Sequence, residues 1–307
     1  MKRRQFLIRS LGATASVALS PMILSSCQPN LNGKKLTILH TNDMHSHIEP
    51  FEEGRYKGLG GMAARASAIS QIRSQEPNVM LLDSGDVFQG TPYFNMFGGE
   101  LELKLMSKMG YDATTVGNHE FDNGIAGFEH AMQFADFPYL TANYDFSGNA
   151  ISGKVQPYKT FERGDIKVGV FGLGIELNGL VDPRMYEGTV YNDPIAVAKE
   201  MVQELQNQQC DLIICLSHLG YDYGDSPKPS DITLAQEVSE IDVILGGHTH
   251  TFMEEPLLLT NSDGFTTTIN QVGWAGINLG RIDVEFTTKG KGIVASSMIR
   301  IIGENLV

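Results

Sequence analysis

Five short clusters in this 307-residue sequence gather the residue types that hold divalent cations. They are Asp43-Met-His45, Gly85-Asp86, Gly117-Asn-His-Glu-Phe-Asp122, Ser217-His218 and Gly246-Gly-His-Thr-His250. Carboxylate oxygen, amide oxygen and neutral imidazole nitrogen together suit borderline ions such as zinc, manganese or iron. Five of the eight histidines, His45, His119, His218, His248 and His250, fall inside these clusters. Glycines beside them permit tight bends and close backbone approach to a bound group. A lone Asp-x-His is common and Gly-Asp is more often a turn, so the reading rests on all five occurring together.

Each cluster follows an apolar, strand-like run. Leu36–His40, Asn78–Asp83, Ala113–Val116, Lys167–Phe171, Leu212–Leu216 and Val243–Leu245 read as strands. Helical spacing at Met62, Ala66, Ile69 and Ile72 predicts a helix there. Others are expected over Phe94–Met109, Pro194–Asn207 and Ile232–Val238. The stretch from Thr266 to Ile302 is β-rich with glycine breaks, and Tyr221–Ser230 is a loop by composition. Strands alternating with helices define an α/β class whose strands are buried on both faces. In open α/β sheets the loops at the carboxyl ends of strands converge on one crevice, so five clusters distant in sequence can meet there.

Residues 34–302 resemble the calcineurin-like phosphoesterases, and within them the catalytic domain of the 5′-nucleotidases. The runs that carry the resemblance are Ile38–His45, Asp83–Pro92, Thr115–Asp122, Leu216–Leu219 and Gly246–His250. The resemblance implies a sandwich of two β-sheets flanked by helices. It implies Asp43, His45, Asp86 and His250 as ligands of one metal, and Asp86, Asn118, His218 and His248 as ligands of a second, with Asp86 as the bridge. His119 and Asp122 would form a catalytic dyad. The implied activity is hydrolysis of phosphate monoesters, 5′-nucleotides or related compounds, by attack of a metal-held hydroxide. At His250 some members of the family carry glutamine, a change that bears on metal preference. A cyclic phosphodiesterase or sulfur-ester hydrolase of the same fold is the nearest alternative, and a non-catalytic surface lipoprotein is the alternative outside enzymes. Family members also carry a C-terminal nucleotide-specificity domain. It is absent from residues 34–307, so the expectation is either that the substrate is another phosphomonoester or diester, or that a separate protein supplies the missing domain, with the second favoured.

Weaker candidates surround these. His47 reads as a loop histidine, His40 as a satisfied core group and His130 as a residue on a helix face. Glu120 bonds either a ligand or the local backbone. Trp274 reads as a buried aromatic, with the pocket rim as the alternative.

The formal net charge of −13 argues against nucleic-acid binding through a basic surface. It sits awkwardly with a phosphate substrate unless cations dominate the local field. Three cysteines, Cys27, Cys210 and Cys215, form no disulfide framework. Residues 1–26 read as an export signal. Arg3-Arg4 with Phe6-Leu7 resembles a twin-arginine signal, and Leu24-Ser-Ser-Cys27 a lipobox. The expected product is an exported bacterial lipoprotein on the periplasmic or cell-surface face, anchored through a lipid on Cys27. Residues 27–33 would be its linker.

Overall fold

The computed structural model describes residues 31–303 except residue 289. The expected signal and lipid-bearing cysteine lie outside the described residues. In chain order the first half holds β1 (Lys34–Thr41), α1 (Met62–Gln75), β2 (Val79–Asp83), α2 (Pro92–Phe97), α3 (Glu100–Met109), β3 (Ala113–Thr114), α4 (Gly124–Met132) and β4 (Tyr144–Asp145). The second half holds β5 (Tyr158–Arg163), β6 (Ile166–Leu173), β7 (Val190–Tyr191), α5 (Pro194–Asn207), β8 (Leu212–Ser217), α6 (Asp231–Glu237), β9 (Val243–Leu245), β10 (Leu257–Thr260), β11 (Thr266–Asn270), β12 (Asn278–Thr287) and β13 (Gly290–Arg300).

Two mixed sheets form. One has the order β13-β12-β1-β2-β3, the other β10-β11-β9-β8-β6-β5. Strands β1, β2 and β3 run parallel, as do β6, β8, β9 and β11. The strand period of two explains the layers. Leu36 and Ile38 of β1, with Met80 and Leu82 of β2, meet Val168, Val170, Ile214 and Leu216 of the other sheet in a shared core. Leu39 and Leu81 point the other way, onto Ile69, Leu103 and Phe128 of the helices. The outer face of the second sheet packs on Ala198, Val202 and Leu205 of α5 and Leu234 of α6. This is the expected sandwich flanked by helices.

Local signals account for the helix starts. Pro194 opens α5 behind Asp193, whose carboxylate accepts from the Ile195 N–H. A reciprocal pair between Ser230 and Thr233 caps α6. The helix expected over Phe94–Met109 is instead two helices, because Gly98 and Gly99 adopt left-handed φ values of 61° and 94°. Strand β3 also stops early: beyond Thr114 the Thr115 hydroxyl turns to the Leu140 carbonyl. No described helix is long and apolar enough to cross a membrane.

Candidate metal centre

The parallel strands of both sheets deliver their carboxyl ends to one edge. Asp43 follows β1, Asp86 follows β2, Asn118 and His119 follow β3, His218 follows β8, and His248 and His250 follow β9. The loops are tied to one another through backbone. Asp43 N–H donates to the Gly85 carbonyl at 2.9 Å, and His45 N–H to the Asp86 carbonyl at 3.0 Å. Across the sandwich, the Ser84 hydroxyl donates to the Leu245 carbonyl at 2.7 Å.

The donor atoms converge. Three groups each have ligand atoms mutually within 4.8 Å: Asp43, His45 and His250; His45, Asp86 and His119; and Asp86, His218 and His248. Asn118 joins the last through its Oδ1, 2.8 Å from His248 Nδ1. All seven expected ligands and His119 therefore meet at this edge, with Asp86 common to two groups. Asp122 stands behind His119, its Oδ2 2.8 Å from His119 Nδ1.

The backbone at this edge is unusual. Asp43, His45, Asp86, His248 and His250 have φ between 46° and 69°. Non-glycine residues avoid this region, and such strain gathers at functional sites. Packing around them is equally tight. A Cβ on Gly117 would fall 2.3 Å from Asp86 Oδ1, so only glycine lets the β3 loop lie against that carboxylate.

The donor set fits cations on a specific observation. His218 is fully buried, and its Nδ1 donates to the Ser84 carbonyl at 2.6 Å. Its Nε2 makes no hydrogen bond, although it lies 3.1 Å from Asp86 Oδ2 and 4.0 Å from Asp43 Oδ1. A buried nitrogen facing two carboxylates and bonded to neither fits a positive ion between them. His45 Nε2 and His250 Nε2 likewise converge to 2.9 Å, with Asp43 Oδ1 3.4 Å from the latter.

The electrostatics show how strongly these carboxylates draw positive charge, here a proton on His218 that a bound cation would have to displace. Burial opposes charge on His218, yet Asp86 and then Asp43 outweigh it and push its pKa up to about 10. Burial would raise Asp86, but His218, His45 and His119 hold it well below the usual carboxylate range. Burial and then His218 bring His248 down to about 4. For His119, burial is outweighed by Asp122 and Asp86, and its pKa rises to about 9.

Supporting groups complete the site, and for Glu120 the structure decides between the two expected partners. Glu120 is buried, and its carboxylate accepts three backbone N–H groups: Asp86 at 3.0 Å, Val87 at 2.9 Å and Gly117 at 2.6 Å. It bonds the local backbone. Gln271 Nε2 donates to the Gly247 carbonyl at 2.8 Å and to Asp231 Oδ2 at 3.2 Å, bracing the turn before His248. Their partners are mostly main-chain atoms, for which a sequence carries no signature. His47 lies beside the cluster, with Nδ1 2.9 Å from the His45 carbonyl oxygen. His40 is buried between the sheets, and its Nδ1 has no partner, unlike the satisfied core group expected. Trp274 is half-buried and stacks on His250, at the rim.

A two-sheet sandwich with histidines and carboxylates collected at the carboxyl ends of its parallel strands defines a metallophosphoesterase architecture. The calcineurin-like phosphoesterase family matches residues 36–252, and the chain belongs to that family. It is similar to the 5′-nucleotidase of Bos taurus, at 35% identity over 92% of this chain and 52% of that relative. Among solved structures it resembles a 5′-nucleotidase precursor from Thermus thermophilus, with 31% identity and a TM-score of 0.78 over 88% of this chain and 54% of that one. It also resembles the NAD nucleotidase of Haemophilus influenzae, with 28% identity and a TM-score of 0.75 over 87% of this chain and 51% of that one. The chain thus spans about half the length of these relatives.

Proposed function

We propose that this domain hydrolyses phosphate monoesters, 5′-nucleotides or related compounds among them, with two divalent cations at the strand ends. The observation that carries the reading is the His119–Asp122 pair standing beside donor groups that share Asp86. Asp43, His45, Asp86 and His250 would hold one cation. Asp86, Asn118, His218 and His248 would hold the other. When bound, a cation pair supplies Lewis acidity and a water of lowered pKa, and offsets the charge of the phosphate. Zinc, manganese and iron all suit these donors.

The protein's own residues do the rest. Asp122 accepts from His119 Nδ1 and so fixes which ring nitrogen faces the site. The Asp122 hydrogen bond and charge favour the protonated form of His119 against its burial. It can place that charge against the phosphoryl oxygens or pass the proton to a departing alkoxide. The acidic chain is reconciled with an anionic substrate because charge at this edge is set by the cations.

The test is a metal-dependent activity screen over nucleoside monophosphates, cyclic nucleotides, thiosulfate-type esters and an aryl phosphate. Activity on monophosphates that chelator abolishes and added metal restores is the expected result. Turnover of cyclic or sulfur esters alone would redirect the assignment within the fold. Inactivity toward every ester with metal bound would end it.

The proposal extends to export, supported by the motifs of residues 1–27. Lipid on Cys27 predicts a mature protein whose mass begins at that cysteine; retention of Met1 would exclude it. A separate protein that supplies base specificity belongs to the same proposal, and adding it should change substrate preference.

A further inference from the structure

The loop Tyr221–Ser230 is fastened to the turns that carry the histidines of the second sheet. Tyr221 N–H donates to Thr249 Oγ1 at 3.0 Å, between His248 and His250. The Tyr223 hydroxyl donates to the Leu219 carbonyl at 2.7 Å, one residue past His218. A Cβ on Gly220 would fall 2.3 Å from the Tyr223 hydroxyl oxygen, so the phenol lies directly on the main chain that follows that ligand. At its far end the loop runs into α6, where Asp231 N–H donates to the Gly220 carbonyl at 2.8 Å.

Lys228 is the basic residue of this loop, and it is presented stiffly. Pro227 precedes it with a fixed φ, and Pro229 holds Lys228 itself away from helical backbone. Little backbone freedom is left to lose when the side chain engages a ligand. Its Nζ stands 4.3 Å from the centroid of the Tyr223 ring. The side chain is half-buried, and burial lowers its pKa. Among the described residues no carboxylate pairs with Lys228 and no acceptor takes its N–H groups, so the ring is the partner of its charge. That charge still reaches the candidate ligands: burial and then His218 depress His248, and Lys228 adds to them. An ammonium has donors only and cannot hold a metal ion. In a chain of net charge −13, a half-buried lysine that pairs with no carboxylate, beside a cluster of cation ligands, has an anion as its natural complement.

We propose that Lys228 is a substrate-binding residue, and that it takes a non-reacting phosphoryl oxygen on the side of the cation that His218 and His248 would hold. The inference rests on the phosphatase reading and names a further residue of that site. His119 belongs with His45 and Asp86, whereas His248 belongs with Asp86 and His218. Lys228 therefore adds a fixed charge at the part of the cluster that His119 does not serve.

The full chain, loaded with manganese, is titrated with inorganic phosphate in a calorimeter, alongside Lys228→Met. Methionine keeps an unbranched apolar stem for the Tyr223 ring and removes the charge. Phosphate should bind about tenfold more weakly to the variant, the scale of one charge-assisted hydrogen bond, and added salt should narrow the gap. With phenyl phosphate the loss should fall on KM more than on kcat, because the contact is made before and during reaction. Manganese content by plasma emission and the circular dichroism spectrum should match wild type. Equal phosphate affinity in the two proteins would overturn the proposal. Loss of manganese from the variant would overturn it too, by making Lys228 a prop of the ligand turns. Weakened phosphate binding in a protein that hydrolyses no ester would remove the catalytic reading and keep Lys228 as an anion-binding residue. Ester hydrolysis with KM and phosphate affinity unchanged in the variant would keep catalysis and overturn the role of the lysine.

Discussion

Glu120 offers a sharp test of how the cluster is held. Its Oε2 accepts from Asp86 N–H and Gly117 N–H, and its Oε1 from Val87 N–H. One side chain thus ties the loop after β2 to the loop after β3. Burial and then the Asp86 charge raise the Glu120 pKa to about 8, so its bonds are ordinary ones of about 1 kcal/mol each, with about 1–3 kcal/mol more for each buried N–H left unpaired; bonds sharing one acceptor group do not add in full. Glu120→Ala should therefore cost roughly 3–5 kcal/mol of stability, near the upper end for single substitutions. Glu120→Gln is the more informative change. Its amide oxygen can keep the two bonds that converge on Oε2, but its NH2 then faces Val87 N–H, donor against donor. The expected loss is about 1–3 kcal/mol. Asp86 sits at φ 54° in a loop that Glu120 pins, so loosening it should also weaken metal binding about 10- to 100-fold, as losing a ligand's support does. Urea denaturation and zinc or manganese titration of metal-stripped protein measure the two effects. Wild-type stability and affinity in Glu120→Gln would refute the reasoning. Lost stability with unchanged affinity would confine Glu120 to folding.

His119→Ala should keep bound metal and lose about two to four orders of magnitude in kcat; full activity in a steady-state assay would reject the dyad. Asp86→Asn should lose metal by plasma emission, and an unchanged count would contradict its bridging role. His40 supplies a pH test. Burial pushes its pKa down to about 3, against an ordinary value of 6.5. The unfolded chain therefore binds a proton that the folded chain refuses, and stability is full above pH 6.5 and falls below it. By pH 5 the loss from this residue is about 2 kcal/mol. In His40→Gln, whatever its stability at pH 7, the further loss between pH 7 and 5 should shrink by that amount in urea titrations. An identical loss in both proteins would show that His40 is protonated in the fold.

Most of the site was legible because cation chemistry restricts residue type. Few other tasks place Asp-x-His, Gly-Asn-His-Glu and Gly-Gly-His-x-His directly after apolar runs. The runs themselves betray two buried faces: Leu36, Ile38 and Leu39 are apolar on both sides of one strand. What escaped was non-local or main-chain in character. Apolar spacing continues through Phe94, Leu103 and Met106, which hides the break at Gly98 and Gly99. The pairing of β1 with β12 joins residues about 246 positions apart, as in Thr37 with Asp283, and no local pattern encodes it. The sequence marks Glu120 but not its particular partners, which are main-chain N–H groups that every residue but proline owns. The ring contacts of Tyr56 with Phe252 and Trp274 exist only once β1 and β11 have been placed in separate sheets.

Asp43 and Asp86 hang from one layer of the sandwich, while His218, His248 and His250 hang from the other. A cation gripped by both would act as a rivet through the seam. Whatever it adds by holding the layers together grows with its free concentration, as for any ligand that prefers the folded chain. Melting temperature should therefore climb as metal is supplied and drop in chelator. With metal removed, the seam at this edge rests on direct hydrogen bonds such as Ser84 to Leu245 and His218 to Ser84.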